Sequence, residues 1–242
     1  MGGYRINPSH TVSELPGLWF SHDELLALLS IEHLLSQLEP TVLASTLKPI
    51  QNKLMLLLKE LGLANLSFGK KILLLQSKKR TLPPKLFEGI AAATMTGKRI
   101  NILHRNRHNS VTAEREVSPL RLVHYRDNWY LYGWCHLRDG LRSFSIDAIE
   151  YCLLLEHDAK DIDREQLLKT MQSGYGIFGG EAKAWAELKF SPERSRWVQH
   201  EEWHPDQKGT LHKDDSYTLE VPYSDERELI GDILRIGFDV KV

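Results

Sequence analysis

The spacing of the apolar residues changes twice along the chain. It is helical from residue 21 to 97, falls to every second residue from 98 to 156, and alternates between the two from 184 to 242. A period of about 3.6 residues is typical of an amphipathic helix, and a period of two is typical of a half-buried strand. The pattern predicts an α+β fold: a helical arm (21–97), a β unit (98–156), a linker (157–183) and a C-terminal domain (184–242).

The helical arm is predicted to contain three helices. Ser21 and Glu24 form a capping box, in which the Ser21 hydroxyl accepts a bond from the Glu24 amide and the Glu24 side chain returns one. Two leucine stripes follow, and Pro83-Pro84 opens a third helix that runs toward Gly97. The first two helices are expected to pack antiparallel, either as a plain two-helix core or as a dimerisation surface.

The β unit is predicted to be a small barrel. The dipeptides Asp127-Asn128 and Asp139-Gly140 suit tight hairpins, and Ser118-Pro119 closes a strand. The expected strands are Arg99–Arg105, Val111–Val117, Leu120–Arg126, Trp129–His136 and Leu141–Ile146. Five short strands in roughly fifty residues are typical of an Sm-like or SH3-like barrel.

The C-terminal domain combines helical and strand-like spacing of its apolar residues. Ser191-Pro192-Glu193 is an N-cap followed by a first-turn proline and an acid, and a second helix is expected to start near Ser224 and stop at Gly237. With the strands around them, these helices give the order βαββαβ, which is ferredoxin-like. The glycine-rich stretch 174–180 is expected to be a hinge before this domain, because it follows a helix rather than a strand.

Composition excludes several classes of protein. The 242 residues are 42% hydrophobic and 26% charged, and they hold no apolar run of membrane-spanning length, so a cytoplasmic protein is expected. The only cysteines, Cys135 and Cys152, are too few for a disulfide framework or a thiolate zinc site and are interpreted as buried thiols.

Charge is unevenly distributed, although the net charge is only −1. From Lys98 to Ile146 there are nine basic against four acidic residues, whereas from Glu156 to the end there are twelve basic against nineteen acidic. A basic middle followed by an acidic tail indicates that the middle meets an anion.

No catalytic or metal-binding constellation is evident in the sequence. His104 and His108 are four residues apart but lie in a strand and a turn rather than on one helix face. Phosphate-loop, dinucleotide and nucleophile-elbow motifs are also lacking. The chain is therefore expected not to be an enzyme, and to need no cofactor and no metal.

The segment 128–135, Asn-Trp-Tyr-Leu-Tyr-Gly-Trp-Cys, and the following Arg142-Ser143-Phe144 resemble the WYL domain, a family named for its Trp-Tyr-Leu triplet. Arg115 and Pro119 fall where that family carries an arginine and a proline. His104 departs from the pattern, since a tyrosine is frequent there, and so does Ala148, where an arginine is common. Ligand preference is the property these departures affect.

The resemblance extends over nearly all of the chain. Residues 185–242 look like the family's C-terminal WCX-type extension, and residues 18–25 are similar to the segment that follows the winged helix-turn-helix in the YafY-like branch of WYL transcriptional regulators. Only Gly3-Tyr4-Arg5 resembles part of that winged helix-turn-helix, namely the last strand of its wing. Residues 1–20 are therefore expected to be a remnant of the wing and a linker. Operator DNA binding is expected only where a winged helix-turn-helix is present.

Alternation along the strand from Trp129 separates its side chains into two faces. Trp129 and Leu131 are expected to fill the barrel, whereas Tyr130 should lie on the other face, where neighbouring strands can add arginines. Guanidinium groups match phosphate oxygens and aromatic rings stack on bases. The candidate ligand-binding residues are His104, Arg105, Arg115, Tyr130, Arg142 and Phe144, of which Arg142 also stands in the place that the resemblance implies.

Structural roles are the alternative for several of these residues. Tyr130 can belong to a core or an interface, Arg115 can pair with Glu114, Glu116 or Asp147, and His104 can donate to a backbone carbonyl. These alternatives remain open on the sequence alone.

Three functions fit the sequence. The first is the effector-sensing part of a transcriptional regulator, in which a nucleotide or single-stranded nucleic acid binds the basic aromatic face and the protein is expected to be a homodimer. The resemblance implies the same function. The second is a stand-alone Sm-like binder of RNA or single-stranded DNA. The third is a dimerisation scaffold left from a truncated gene. A binder that acts through phosphates alone should lose affinity steeply with salt.

Overall fold

A computed structural model describes residues 80, 82–107 and 110–242, together with isolated helical residues between 24 and 56. Those isolated residues are Glu24, Ala27, Leu28, Ser30, Ile31, Lys48, Pro49, Asn52, Lys53 and Leu56. The chain divides into compact units 1–76 and 77–242, and the helices and strands from Pro84 onward lie in the second unit. The predicted segment 1–20, the capping box at Ser21 and the bounds of the two leucine helices lie outside the described residues.

The third predicted helix is confirmed as α1, Pro84–Thr96. It starts where two prolines fix the backbone of its first turn, and it ends at Gly97, whose φ of 64° is left-handed and suits a residue without a side chain. Phe87, Ile90 and Ala93 form its buried face, which packs on the strands that follow.

Five antiparallel strands form the first sheet, in the order β4-β3-β2-β1-β5. Their bounds are β1 Lys98–Arg105, β2 Thr112–Tyr125, β3 Asn128–Cys135, β4 Gly140–Ser145 and β5 Ile149–Asp158. The two strands predicted on either side of Ser118-Pro119 are one continuous strand, β2. Proline cannot donate to the ladder, but Pro119 lies at a register shift against β3, where a strand tolerates such a residue. The strand β5 was not predicted.

Two connections of this sheet bear on the candidate site. Between β2 and β3 the turn residues are Arg126 and Asp127, one position earlier than predicted, and Arg126 has a positive φ of 52°. Between β4 and β5 there is only a 3-10 turn, Ile146–Ala148. Because β4 and β5 end the strand order, this short turn brings the two edges of the sheet together at one end.

The second sheet is also antiparallel, with four strands in the order β7-β8-β6-β9. Its elements are β6 Ala184–Phe190, α3 Pro192–Val198, β7 Lys208–Leu211, β8 Tyr217–Tyr223, α4 Glu226–Ile236, a 3-10 turn Gly237–Asp239 and β9 Val240–Lys241. The Ser191 side chain caps α3 as predicted, whereas Asp225, not Ser224, caps α4. Leu188, Leu219, Val221 and Leu229 lie in its core.

The segment between the sheets contains α2, Arg164–Gln172, and a loop, 173–180, that contacts both domains. The Tyr132 hydroxyl, on β3, donates to the Ile177 carbonyl at 2.6 Å, and the Ser224 hydroxyl donates to the Phe178 carbonyl at 2.7 Å. Cys135 is buried and Cys152 half-buried, both as free thiols. In the part of the chain that the structure describes, every helix is too short or too polar to cross a membrane.

Candidate functional site

A carboxylate at the turn between β4 and β5 holds two arginines. The side chain of Asp147 is only 6% exposed, and its Oδ2 atom accepts from Arg107 Nη2 at 2.5 Å and from Arg80 Nη1 at 3.3 Å. The other oxygen, Oδ1, accepts from the Ser145 hydroxyl and from Asn128 Nδ2. We call these five residues the Asp147 cluster.

The Asp147 cluster keeps its carboxylate ionised. Burial raises the pKa of Asp147, but hydrogen bonds from Arg107 and Ser145 and the charges of Arg107 and Arg80 outweigh burial, so the pKa lies below its ordinary value. Arg80 and Arg107 are each about half exposed, so Asp147 orients two guanidinium groups whose remaining N–H groups can reach a ligand.

His104 and Phe144, both predicted ligand contacts, lie beside this cluster. Their rings meet edge to face with centroids 5.4 Å apart, and Phe144 is buried while His104 is half-buried. The pKa of His104 is lowered, first by burial and then by the positive charges of Arg115 and Arg107. His104 therefore lies in a field made by arginines, which an anion would relieve.

The strand register separates Tyr130 from the predicted arginines. Residues directly opposite each other on neighbouring strands share a face, and Arg142 and Phe144 lie opposite Gly133 and Leu131. Gly133 and Leu131 are an odd number of residues from Tyr130 along β3, so Tyr130 points to the other face of the sheet. The prediction that Arg142 shares the Tyr130 face is therefore wrong.

Arg115 lies on the same face as Arg142. Val117, two residues along β2, is paired with Cys135 of β3, which shares the face of Leu131. Arg115 Nη1 donates to the Glu114 carbonyl at 2.8 Å. The carboxylates considered as its alternative partners are engaged elsewhere: Glu114 with Tyr151, Glu116 with Arg99, and Asp147 with Arg80 and Arg107.

The remaining predicted arginines, Arg105 and Arg142, are both exposed. Arg105 ends β1 opposite Thr112, on the face opposite that of His104. Arg142 is exposed on β4, and its Nη1 atom donates to the Leu141 carbonyl at 2.8 Å. The register therefore places His104, Arg115, Arg142 and Phe144 on one face of the sheet and Arg105 on the other.

Each residue of the Trp-Tyr-Leu triplet has a different environment. Trp129 packs edge to face against Phe87 of α1, with ring centroids 5.0 Å apart. Leu131 is fully buried in the core. Tyr130 is half-buried and lines a cleft between the first sheet and the C-terminal domain, with a volume of about 1290 Å³.

This interdomain cleft adjoins the Asp147 cluster, because Arg80 and Asn128 line the cleft and also bind Asp147. Its further lining includes aromatic rings, arginines and carboxylates: Tyr125, Tyr175 and Trp203, Arg126 and Arg235, and Glu202, Glu228 and Asp232. Arg80 and Asn128 therefore join the Asp147 cluster and the cleft into one surface of mixed charge. The cleft is lined by three arginines, Arg80, Arg126 and Arg235, and by five carboxylates, Asp127, Glu201, Glu202, Glu228 and Asp232.

Sequence reasoning missed three arginines of this surface. Arg80 belongs to the charge run 78–80, a pattern typical of a solvated linker, Arg107 follows the predicted strand Arg99–Arg105, and Arg126 ends the predicted strand Leu120–Arg126. Asp147 was considered only as one partner for Arg115. The sequence offered one signal for this cluster, which is the aspartate Asp147 two residues after Ser145. Its partner Arg80 is 67 residues away, and a local sequence pattern cannot identify so distant a partner.

Comparison with known proteins identifies two domains. The family model of the WYL domain matches residues 85–152, and that of the WCX domain matches residues 182–242. The predicted resemblance to the WYL domain and to its WCX-type extension is thereby confirmed.

Several relatives were also found. The chain is 29% identical over 72 residues to the DNA-binding transcriptional repressor CapW of Pseudomonas aeruginosa, a match that covers 30% of this chain and 24% of that protein. Two solved structures are similar: proteasome accessory factor B/C (PafBC) of Arthrobacter aurescens, and a CRISPR Cas-related protein. The first has a TM-score of 0.35 and 21% identity, covering 92% of this chain and 33% of the other. The second has a TM-score of 0.39 and 13% identity, covering 64% and 45%. Each match spans less than half the length of the relative.

Proposed function

The chain is a WYL-domain protein that also carries a WCX domain, and on that premise we propose that it is the effector-sensing, regulatory part of a bacterial transcriptional regulator. The curated relative is named a DNA-binding transcriptional repressor, which supports a role in transcription. The family match supports a regulatory role rather than an enzymatic one.

The proposed effector is a nucleotide or a single-stranded nucleic acid. The observation that carries this proposal is the Asp147 cluster, in which one buried carboxylate aims two half-exposed arginines beside a cleft lined by Tyr130. Arginine forks bind phosphate oxygens in a bidentate way, and aromatic faces stack on bases without regard to sequence. His104 and Arg115 add basic groups beside Arg107 of this cluster, since the charges of Arg115 and Arg107 both act on His104.

The two sheets fit specific fold types. A small Sm-like barrel is supported by the strand order β4-β3-β2-β1-β5 and by the 3-10 turn that brings the edges together. A ferredoxin-like C-terminal domain is supported by the order βαββαβ and by strands arranged β7-β8-β6-β9.

Regulation requires that ligand binding change the relation between domains. The loop 173–180 supports such coupling, because Tyr132 holds it on the barrel side and Ser224 holds it on the WCX side. A ligand that contacts Tyr130, two residues from Tyr132 on the same face of β3, would act on that connection. The homodimer predicted from the leucine-rich arm remains a proposal, which light scattering can test.

Binding of fluorescein-labelled oligothymidylates and a panel of nucleotides, followed by fluorescence polarisation, tests the effector proposal. Arg107→Ala and Arg115→Ala should each weaken binding by about tenfold, since a charge-assisted hydrogen bond contributes on the order of 1.5 kcal/mol or more. Arg142→Ala tests the arginine favoured by the sequence. Arg138→Ala, an exposed arginine in the β3–β4 turn, is the matched control for net charge.

The outcomes separate the three functions. Saturable binding that is weakened by Arg107→Ala and Arg115→Ala but not by Arg138→Ala supports the sensor. Equal weakening by all variants, with a salt slope set only by the number of phosphates, indicates an unspecific polyanion binder. The absence of binding to every probe contradicts the effector proposal and leaves the scaffold.

A further inference from the structure

The tip of the β2–β3 hairpin reaches the WCX domain through one arginine. Arg126 Nη2 contacts Asp232 Oδ2 at 2.5 Å, joining residues 106 positions apart. The Arg126 side chain is 48% exposed and faces the interdomain cleft, whereas the Asp232 side chain is only 8% exposed. The guanidinium also interacts with the Tyr125 hydroxyl and with the charge of Glu228. A guanidinium carries five N–H donors, so donors are left over for a ligand in the cleft.

The position of Arg126 is unusual for its residue type. With a φ of 52° it occupies a left-handed backbone conformation that glycine adopts more easily, at a cost of roughly 1 kcal/mol for another residue. A glycine at this tip would therefore form the hairpin at least as easily. The turn does not need the Arg126 side chain, so Arg126→Gly can remove that side chain without disrupting the turn.

Asp232 keeps partners if Arg126 leaves. The Tyr175 hydroxyl donates to its Oδ2 atom at 2.8 Å, and Arg235, one turn further along α4, lies 3.6 Å from its Oδ1 atom. A buried carboxylate without any partner would be costly, but this one retains a hydrogen bond and a cation. Exchange of the Arg126 partner is therefore feasible.

We propose that Arg126 forms a second anion-binding subsite for the effector, and that the carboxylate of Asp232 occupies this subsite while the effector is absent. The proposal rests on the proposed function, since it extends the same ligand along the cleft. One end of the ligand is held at Arg80 and Arg107 of the Asp147 cluster, and the other end at Arg126. The aromatic ring of Tyr130 lies in the cleft that joins these ends.

Two separate cationic positions select a ligand with at least two phosphates. A mononucleotide can occupy only the Asp147 cluster, whereas an oligonucleotide can also replace Asp232 at Arg126. Occupation of the second subsite breaks the contact between the hairpin and α4, so longer ligands loosen the WCX domain and short ones do not.

The test measures the affinity of thymidine 5′-monophosphate and of oligothymidylates of two to six nucleotides for the full chain. In the wild type, affinity should rise once the oligonucleotide spans both subsites. Arg126→Gly should remove that rise, about tenfold, so that the longer oligothymidylates bind this variant no more tightly than the mononucleotide does. Asp232→Asn retains an acceptor for Tyr175 but removes the competing charge, so it should strengthen binding of the longer oligonucleotides severalfold.

Glu202→Gln is the control for general electrostatics, because Glu202 lines the same cleft. Equal strengthening by Glu202→Gln and Asp232→Asn would overturn the subsite, and so would a rise with length that survives in Arg126→Gly. In both cases the wild type still binds, so the proposed function stands. If the wild type binds none of the probes, the proposed function fails and the subsite fails with it.

Discussion

At the scale of single residues, His104 connects the field of the arginines with ligand binding. Its pKa is lowered by burial and by the charges of Arg115 and Arg107, so His104 is neutral at pH 7 in the free protein. A bound phosphate places negative charge beside the same arginines and raises the pKa of His104. Ligand binding is then coupled to uptake of a proton.

Affinity for an oligothymidylate should therefore rise as the pH falls from about 8 to about 5.5, by up to about tenfold for each unit by which the ligand raises the pKa of His104. The gain begins below the pKa of the complex and levels off below the lower pKa of the free protein. Polarisation titrations at several pH values measure it. His104→Gln should flatten the profile, and an unchanged profile in that variant would exclude His104 as the source.

Asp147 stabilises the folded protein through its ion pairs with Arg80 and Arg107. Asp147→Asn removes the charge that two arginines share, and we expect a loss of about 1–3 kcal/mol in the free energy of unfolding, measured in urea. Because the pKa of Asp147 is lowered in the folded protein, the wild-type advantage is complete above the ordinary value near 3.8 and disappears as the pH falls below it.

A second aspartate provides the comparison for Asp147. Asp158 pairs with Lys98 at 2.6 Å, but its side chain is largely exposed and the pair is screened by solvent, so Asp158→Asn should leave the free energy of unfolding nearly unchanged. Equal losses in the two variants would mean that the arginines at Asp147 add nothing beyond an ordinary surface pair.

At the scale of elements, Gly133 shows why β3 fits closely against β2. A β-carbon on Gly133 would lie 2.6 Å from Val117 Cγ1 and 2.8 Å from the Ser118 carbonyl oxygen. Gly133→Ala should therefore lower the free energy of unfolding by about 1–3 kcal/mol through overpacking. Gly140→Ala, whose nearest neighbours would be at 3.7 Å, should be nearly neutral. Equal effects would contradict the close approach of the two strands.

The elements themselves were predictable where local chemistry decides them. The cap at Ser191, the prolines before α1 and the glycine after it act over three or four residues, and the alternation of β6 is complete within one strand. The division of β2 at Ser118-Pro119 was wrong because a proline tolerated at a bulge looks the same in sequence as one that ends a strand. The hairpin was misplaced by one residue because Arg126, rather than an asparagine or glycine, adopts the positive φ.

At the scale of the whole molecule, the candidate site was only partly predictable. The basic character of the middle segment follows from its charge, and His104, Arg115 and Phe144, which were predicted as ligand contacts, lie on one face of the first sheet. The bonds that organise the site are between residues far apart in sequence, Arg80 with Asp147 and Arg126 with Asp232. No local period carries such information, because these pairs arise from how the two sheets and their connections fold together.

The contact between Arg126 and Asp232 also predicts how the two domains move. Because it adds an ion pair to the hydrogen bonds of the loop 173–180, its loss should let that loop and α4 open more often while both sheets stay folded. In Arg126→Gly, hydrogen–deuterium exchange should become faster at 173–180 and 226–236 and remain unchanged in β2 and β3. Asp139→Gly is the matched control, since Asp139 has a positive φ of 44° in the β3–β4 turn of the same sheet. Faster exchange throughout the first sheet would instead mean that Arg126 supports that sheet itself. Exchange equal to that of the control would mean that the domains are held together without Arg126.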